Sequence, residues 1–393
     1  MITGENYRPL ILSGNTISNY YCMGKLSVNK DIEEKTNTIQ VLYSGNINSF
    51  KKGYTGYLFE DKNINSDIEN YLLESKIPYL VEVSDTRTLV DNDIVEIVSS
   101  KNILRVIFRA NSNDNALIVT SQCNCNCIMC PEPYSIRQNE GDFCNRILKL
   151  INLIDENTSH LCISGGEPTL IKDKLFEILE HCKVKLPKTK YILLTNARMF
   201  SYKNYVVKFN KYKPTNIVLG IPIYGARSEV HDLVTNTRGS FIQTCNGIKN
   251  LLDFQNKIEL RIVVNKINYK DLFELSNFIA KHFSKVIRVN IMAMEMLGNA
   301  IINKDRVWVD LDLLRNIIKK AVYNLLQNGI EAYLYNFPLC FVDESLWSIS
   351  AKSISDYKVR FFEDCERCKV KLKCGGFFNS TIQMKNIKVT PII

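Results

Sequence analysis

No stretch of this sequence reaches the about eighteen uninterrupted apolar residues that suggest a membrane-spanning helix. The opening Met-Ile-Thr-Gly-Glu-Asn-Tyr-Arg has no basic region leading into an apolar run, so neither secretion nor a membrane partner is expected. Low-complexity tracts are missing, as is any repeat shorter than a βα unit, which excludes solenoids and extended disorder. Basic motifs interleaved with aromatics are missing too. The formal charge of +9 therefore reads as a solvated surface, and a nucleic-acid partner has no motif behind it. What the 393 residues do contain is the balance of a soluble globular chain, 46% apolar and 23% charged. Thirteen cysteines, an odd number concentrated in two clusters, point to metal ligation in a reducing cytoplasm rather than a disulfide framework.

The rhythm of the chain divides it in three. Residues 1–115 carry short alternating stretches such as Tyr79-Leu80-Val81-Glu82-Val83 and Ile94-Val95-Glu96-Ile97-Val98, which predict a β-rich domain. Its one signposted helix opens on the capping box Ser66-Asp67-Ile68-Glu69 and stops before Pro78. Polar residues 111–115 read as a hinge. Residues 116–328 alternate apolar strands with amphipathic stretches, the pattern of βα units and a parallel sheet. Six strands are predicted, near 117–120, 160–164, 190–195, 216–223, 258–265 and 286–293. Helices are predicted near 142–155, 171–182, 200–209, 239–254, 269–283 and 309–327. Six units are too few to close an eight-fold barrel, so the expected fold class is α/β, an open partial (βα)6 barrel. Residues 329–393 form a cysteine-rich C-terminal extension.

Cys123, Cys127 and Cys130 make a C-x3-C-x2-C triad just after the apolar Leu117-Ile118-Val119. The triad thus falls on a loop leaving the C-terminal end of a strand, where barrel enzymes place their chemistry. Three thiolates can hold a four-iron cluster and leave one iron open. Zinc, which wants four ligands in a closed site, is the competing reading, with Cys125 as the only nearby fourth thiol. In the cluster reading Cys125 is a spectator. The second predicted strand ends in Gly165-Gly166-Glu167-Pro168, where the glycines let a ligand approach the backbone and Pro168 begins a helix.

Together, the triad and Gly-Gly-Glu-Pro one βα unit later resemble the radical S-adenosylmethionine (SAM) superfamily. The resemblance implies a partial (βα)6 radical SAM barrel, with a [4Fe-4S] cluster on Cys123, Cys127 and Cys130 whose open iron is chelated by SAM. It also implies reductive cleavage of SAM to a 5′-deoxyadenosyl radical that abstracts hydrogen from a substrate. Gly165, Gly166, Glu167 and Pro168 would hold the methionine amino group of SAM, and Met129 would pack on adenine. Leu194-Thr195-Asn196 matches the superfamily's Thr-Asn-Gly turn, with Ala197 in place of the glycine. Arg261, in phase with Val263 and Asn265, could face the SAM carboxylate. Pro222 and Tyr224 stand where related enzymes usually carry serine and aspartate. His231-Asp232, with no nearby nucleophile, reads as structural.

Near the C-terminus Cys365, Cys368 and Cys374 form C-x2-C-x5-C, and Cys340 supplies a fourth thiol. Four thiolates can close a zinc site or hold an auxiliary [4Fe-4S] cluster. The spacing resembles SPASM and twitch extensions of peptide-modifying radical SAM enzymes, which favours the cluster. Phe378 stands in place of a further cysteine, so one auxiliary cluster is expected rather than two. Asn336-Phe337-Pro338-Leu339-Cys340, Leu346-Trp347, Cys-Ile-Met-Cys-Pro-Glu-Pro and Gly220-Ile-Pro-Ile-Tyr look like the HxsC-type maturases of the His-Xaa-Ser repeat system. That resemblance implies a precursor peptide bearing His-Xaa-Ser repeats, a second radical SAM protein as working partner, and a reducing electron donor. The other readings are a radical SAM enzyme acting on RNA or a small metabolite, and a zinc-stabilised binding module.

Overall fold

In Ile258–Val263 alternate residues point to opposite faces, so Ile258, Leu260 and Ile262 are buried outward while Glu259, Arg261 and Val263 line the other side. The same division holds along a sheet of eight parallel strands in a computed structural model that describes residues 2–3, 10–28, 35–132, 143–355, 358–384 and 387–393. The strands are Ala116–Thr120, His160–Gly165, Lys190–Leu194, Ile217–Pro222, Ile258–Val263, Arg288–Met292, Ala332–Tyr335 and Ser350–Ala351. Each pairs in parallel with the next in chain order, and among the described residues the first and last do not pair. The sheet is therefore an open barrel in a mixed α/β fold.

Helices Phe143–Leu153, Asp173–Lys185, Lys203–Tyr212, Ser240–Asp253, Leu272–His282 and Arg315–Gln327 cover its outer face. The largest apolar core lies between these helices and the outward strand residues, including Leu161, Leu193, Leu219, Ile262 and Ile291. Inward residues such as Cys162, Ser164, Arg261, Asn290 and Tyr333 are not part of it. Ile118, inward on the first strand, remains 41% exposed, so the lumen is open to solvent rather than filled.

All six expected strands form, displaced by a residue or two. The expected count falls short, because Ala332–Tyr335 and Ser350–Ala351 extend the sheet from residues assigned to the C-terminal extension. Strands of four and two residues carry too little alternation to read beside a cysteine motif. An extra helix, Ser228–Thr235, precedes Ser240–Asp253 and is set off from it by positive φ at Asn236 and Gly239.

The N-terminal residues form a seven-stranded sheet in the order Ile11–Ser13, Ile103–Phe108, Ile94–Val98, Tyr21–Val28, Thr38–Leu42, Gly56–Phe59, Tyr79–Leu80. Paired 2.8 Å bonds between Asn15 and Val81 join its two edges, which removes the open edge strands. The helix between its strands Gly56–Phe59 and Tyr79–Leu80, Ser66–Glu74, is capped one residue earlier than expected, with the Asn65 side chain accepting from Asp67 N. Residues 111–115 are tied rather than loose. Asn115 bonds both backbone groups of Arg109 and the carbonyl of Ser112, because a carboxamide can donate and accept at once. At the other end of the chain Val359–Phe361 pairs with Phe377–Phe378 and with Ile2–Thr3.

Glu96, 1% exposed, binds the N-terminal sheet to the barrel helix Phe143–Leu153 through Arg146 at 2.6 and 2.9 Å, and accepts from Tyr21 at 2.5 Å. A buried carboxylate stripped of its cation is costly. Arg146→Ala should lower the unfolding free energy in urea by about 2–4 kcal/mol, and the double variant Glu96→Leu/Arg146→Leu should recover most of it.

Candidate functional site

The loop carrying the triad leaves the first barrel strand and is held at its backbone from two sides. Asn126 N and Ile128 N donate to the carbonyls of Thr235 and Val234 at 3.2 and 3.0 Å. Opposite, Asn299 N donates to Cys130 O at 2.8 Å, Asn299 Nδ2 to Cys127 O at 3.0 Å, and Asn303 Nδ2 to Ile128 O at 3.0 Å. Gly298, at φ +57, passes so close that a Cβ would lie 2.3 Å from Pro131 O. Asn299 and Asn303 carry no signal in the sequence, since their partners lie more than 170 residues away.

The Gly-Gly-Glu-Pro turn seats the start of this loop. Gly166 N donates to Thr120 O at 2.9 Å and Glu167 N to Gln122 O at 2.7 Å. A Cβ on Gly165 or Gly166 would fall 2.1 Å from the carbonyl oxygen of Thr120 or Gln122, so only glycine permits the approach. Glu167 is 1% exposed and its carboxylate is committed within the protein. Oε1 accepts from Thr169 N, Thr169 Oγ1 and Thr195 Oγ1 at 3.1, 2.6 and 2.7 Å, while Oε2 accepts from Asn196 N at 2.7 Å. The Glu167 side chain thus braces two turns. Pro168 opens a short 3-10 turn, Pro168–Ile171, before the helix Asp173–Lys185 begins.

Thr195 and Asn196 lie next to the triad loop. Asn196 Nδ2 donates to Asn124 Oδ1 at 2.7 Å and approaches Cys125 Sγ at 3.6 Å. Arg198 donates to Asn124 O and, at 3.4 Å, to Cys125 Sγ. Cys125, expected as a spectator of the triad, thus has polar partners at its sulfur. A hydrogen bond with Cys127 pulls its thiol down to about 6, with Arg198 adding to the pull against burial. Cys127 moves the other way, held up by the same hydrogen bond, by burial, and by the neighbouring Cys125, Cys130 and Cys123. Met129, 6% exposed, belongs to an apolar cluster with Ile128, Tyr224, Val234, Met294 and Met296, and its sulfur faces Asn265 Nδ2 at 3.7 Å.

Tyr224, visible in the sequence only as a departure, is pushed far above its usual range by burial and by the nearby thiols of Cys127, Cys130 and Cys125. Its backbone N donates to His231 Nδ1 at 3.2 Å. Asp232 accepts from Gly239 N, Ser240 Oγ and Phe241 N, so the His-Asp pair is structural, as read. Arg261 faces the lumen, 3.9 Å from Glu259, whose carboxylate is held at 2.7 Å by Arg288.

At the C-terminal extension, burial first and then the neighbouring thiols of Cys374, Cys365 and Cys368 push Cys340 up to about 12, so the four sulfurs sense one another. Leu339 N and Gly376 N each donate to Cys374 Sγ at 3.4 Å. Among the described residues no three His, Cys, Asp or Glu side chains stand together at metal-ligand spacing, in either thiol group. No helix among them is long and apolar enough to cross a membrane.

Two consequences are measurable. Ala197 holds φ +60, a conformation that costs an L-residue about 1 kcal/mol. Ala197→Gly should therefore raise stability by about that amount in chemical denaturation. His231 is 1% exposed and burial lowers it from 6.5 to about 4, so between these values the unfolded chain takes up a proton that the folded chain refuses. Its contribution is full above pH 6.5 and is lost as pH falls to about 4, about 3 kcal/mol at most. Melting curves from pH 7.5 to 4.5 should fall less steeply for His231→Gln than for the unaltered chain.

Residues 117–279 match the Radical SAM superfamily. The chain is 27% identical over 186 residues to an uncharacterized protein of Methanocaldococcus jannaschii, covering 45% of this chain and 61% of that protein. It is 28% identical over 171 residues to the antilisterial bacteriocin subtilosin biosynthesis protein AlbA of Bacillus subtilis, covering 42% of this chain and 37% of AlbA. The chain thus spans less than two thirds of the length of either relative. Streptococcus suis SuiB bound to precursor peptide SuiA is similar at 18% identity and TM-score 0.47, over 58% of this chain and 49% of that one. Residues 117–279 are therefore a radical SAM domain, and the cofactors of that fold are a [4Fe-4S] cluster and SAM.

Proposed function

We propose that this chain is a radical SAM peptide maturase, which modifies a ribosomally made precursor of the His-Xaa-Ser repeat type by hydrogen abstraction. The observation that carries the reading is the triad loop seated by its backbone on Gly165-Gly166, at the mouth of an open lumen. The all-sulfur donor set of Cys123, Cys127 and Cys130 fits a four-iron cluster, which three thiolates would hold while leaving one iron open. When bound there, the cluster and SAM supply reductive cleavage of SAM and a radical able to abstract hydrogen. The chain's own part is positional. The Gly165-Gly166 backbone and the Thr195-Asn196 turn border the ligand space, while Met129 and Tyr224 shield it from water.

Support for a peptide substrate comes from the C-terminal thiols and from AlbA, named for bacteriocin biosynthesis. Cys340, Cys365, Cys368 and Cys374 would hold an auxiliary [4Fe-4S] cluster, with zinc as the competing metal. A second radical SAM maturase and a reducing electron donor complete the reading.

The test is anaerobic co-expression of a His-Xaa-Ser precursor with this chain and with Cys127→Ala, read by mass spectrometry. A mass change with the unaltered chain only is expected, and Cys127→Ala should bind about four fewer irons per chain. Zinc in both thiol groups, with no 5′-deoxyadenosine from the reconstituted and reduced protein, would sink the proposal.

A further inference from the structure

Reductive cleavage needs an electron from outside the chain, and the lumen side of the triad loop is taken by the ligand space. The approach left is across the back of the loop, where two thin layers cover it. On one flank Thr235 O and Val234 O accept from Asn126 N and Ile128 N. On the other, the short helices Asn299–Ile302 and Lys304–Val307, with Asn303 between them, hold the carbonyls of Cys127, Ile128 and Cys130. Both flanks turn aliphatic side chains to water. Ile302 is 76% exposed, Ile301 52% and Leu233 47%. Ile302 adjoins Asn303, whose side chain bonds Ile128 O, so a single residue separates exposed hydrocarbon from the thiol loop.

Exposed aliphatic surface with a charged rim marks a place of contact. Here the rim is cationic. Lys304 and Arg306 follow Ile302 on one flank and Arg238 follows Thr235 on the other, all exposed and none paired with a carboxylate among the described residues. Of the acids beside them, Asp305 is exposed, and Asp232 is already bonded by Gly239 N, Ser240 Oγ and Phe241 N. A small apolar centre inside a positive rim suits a brief encounter with an acidic protein, in which charge speeds the approach and a small contact permits release. A second copy of this chain is the poorer occupant, because a twofold contact sets the same cations against each other.

We propose that this face, with Leu233 and Arg238 on one side of the triad loop and Ile301, Ile302, Lys304 and Arg306 on the other, docks an acidic one-electron carrier protein that reduces the triad-bound cluster. The carrier is oxidised by one electron and the cluster is reduced by one, with no bond formed or broken in the encounter. The bonded path from Ile302 through Asn303 to Ile128, and along the backbone to Cys127 and Cys130, is continuous. The proposal rests on Cys123, Cys127 and Cys130 being the cluster ligands.

The test compares two reductants on the full chain after anaerobic reconstitution. Photoreduced 5-deazariboflavin is small and uncharged, and reduced flavodoxin is an acidic carrier. Loss of cluster absorbance gives each rate. Lys304→Glu/Arg306→Glu should slow reduction by flavodoxin about tenfold at low salt and leave reduction by deazariboflavin within about twofold. Added salt should slow flavodoxin with the unaltered chain and not with this variant. Ile302→Glu should slow flavodoxin too, whereas Val184→Glu, at a position 68% exposed on the helix Asp173–Lys185, should not. Before iron is loaded, the unaltered chain should broaden the NMR lines of labelled flavodoxin, and the double variant should not.

Equal flavodoxin rates in the unaltered chain and the patch variants overturn the proposal, as does a loss shared by deazariboflavin, or no broadening by the unaltered chain. A dimer that Ile302→Glu splits while flavodoxin rates stay unchanged gives the face to a second copy, and overturns it as well. A chain that takes up no iron counts against the reading of the triad, and the line broadening then still decides the docking surface.

Discussion

The Glu167 carboxylate is the interaction on which the site depends. One buried carboxyl group gathers four donors from the turns that end the second and third barrel strands, and so fixes their separation. Those turns then seat the triad loop, the first through Gly166 and Glu167 amides, the second through Asn196 and Arg198. Burial raises the carboxyl, and the four donors oppose that rise without reversing it. The thiols are placed by a constraint that touches none of them.

The rest of the architecture follows from where apolar side chains go. Outward strand residues and helices share one continuous core, so stability does not require a filled lumen. The lumen is then free to carry Arg261, Asn290, Arg288 and Glu259, a set that would be intolerable in a closed hydrophobic centre. The N-terminal sheet has its own cores and is fastened to the barrel by a charged contact at Glu96. Stability is supplied by the periphery and chemistry by the interior.

Much of this was legible in the residues. Strong alternation located the six main strands, and C-x3-C-x2-C with Gly-Gly-Glu-Pro located the loops of the site. The two short strands at 332–351 were not legible, because four and two residues do not establish a period. Nor was the role of Glu167, since a motif tells which residue is present and not which of its atoms are already bonded. The polar setting of Cys125 was hidden for a related reason. Spacing made it surplus, but Arg198 and Asn196, more than 70 residues away, give its sulfur a polar setting. Long-range partners of this kind leave no local pattern.

The straps from Asn299 and Asn303 also order events in time. Cys127 and Asn299 are separated by 172 positions, which at ribosomal speed is roughly 10–35 s of synthesis. Throughout that interval the thiols have emerged but the loop that presents them has no far wall. The finished loop must therefore wait until the chain after the sixth strand has been made, and a nascent chain offers its triad thiols before it can offer their arrangement.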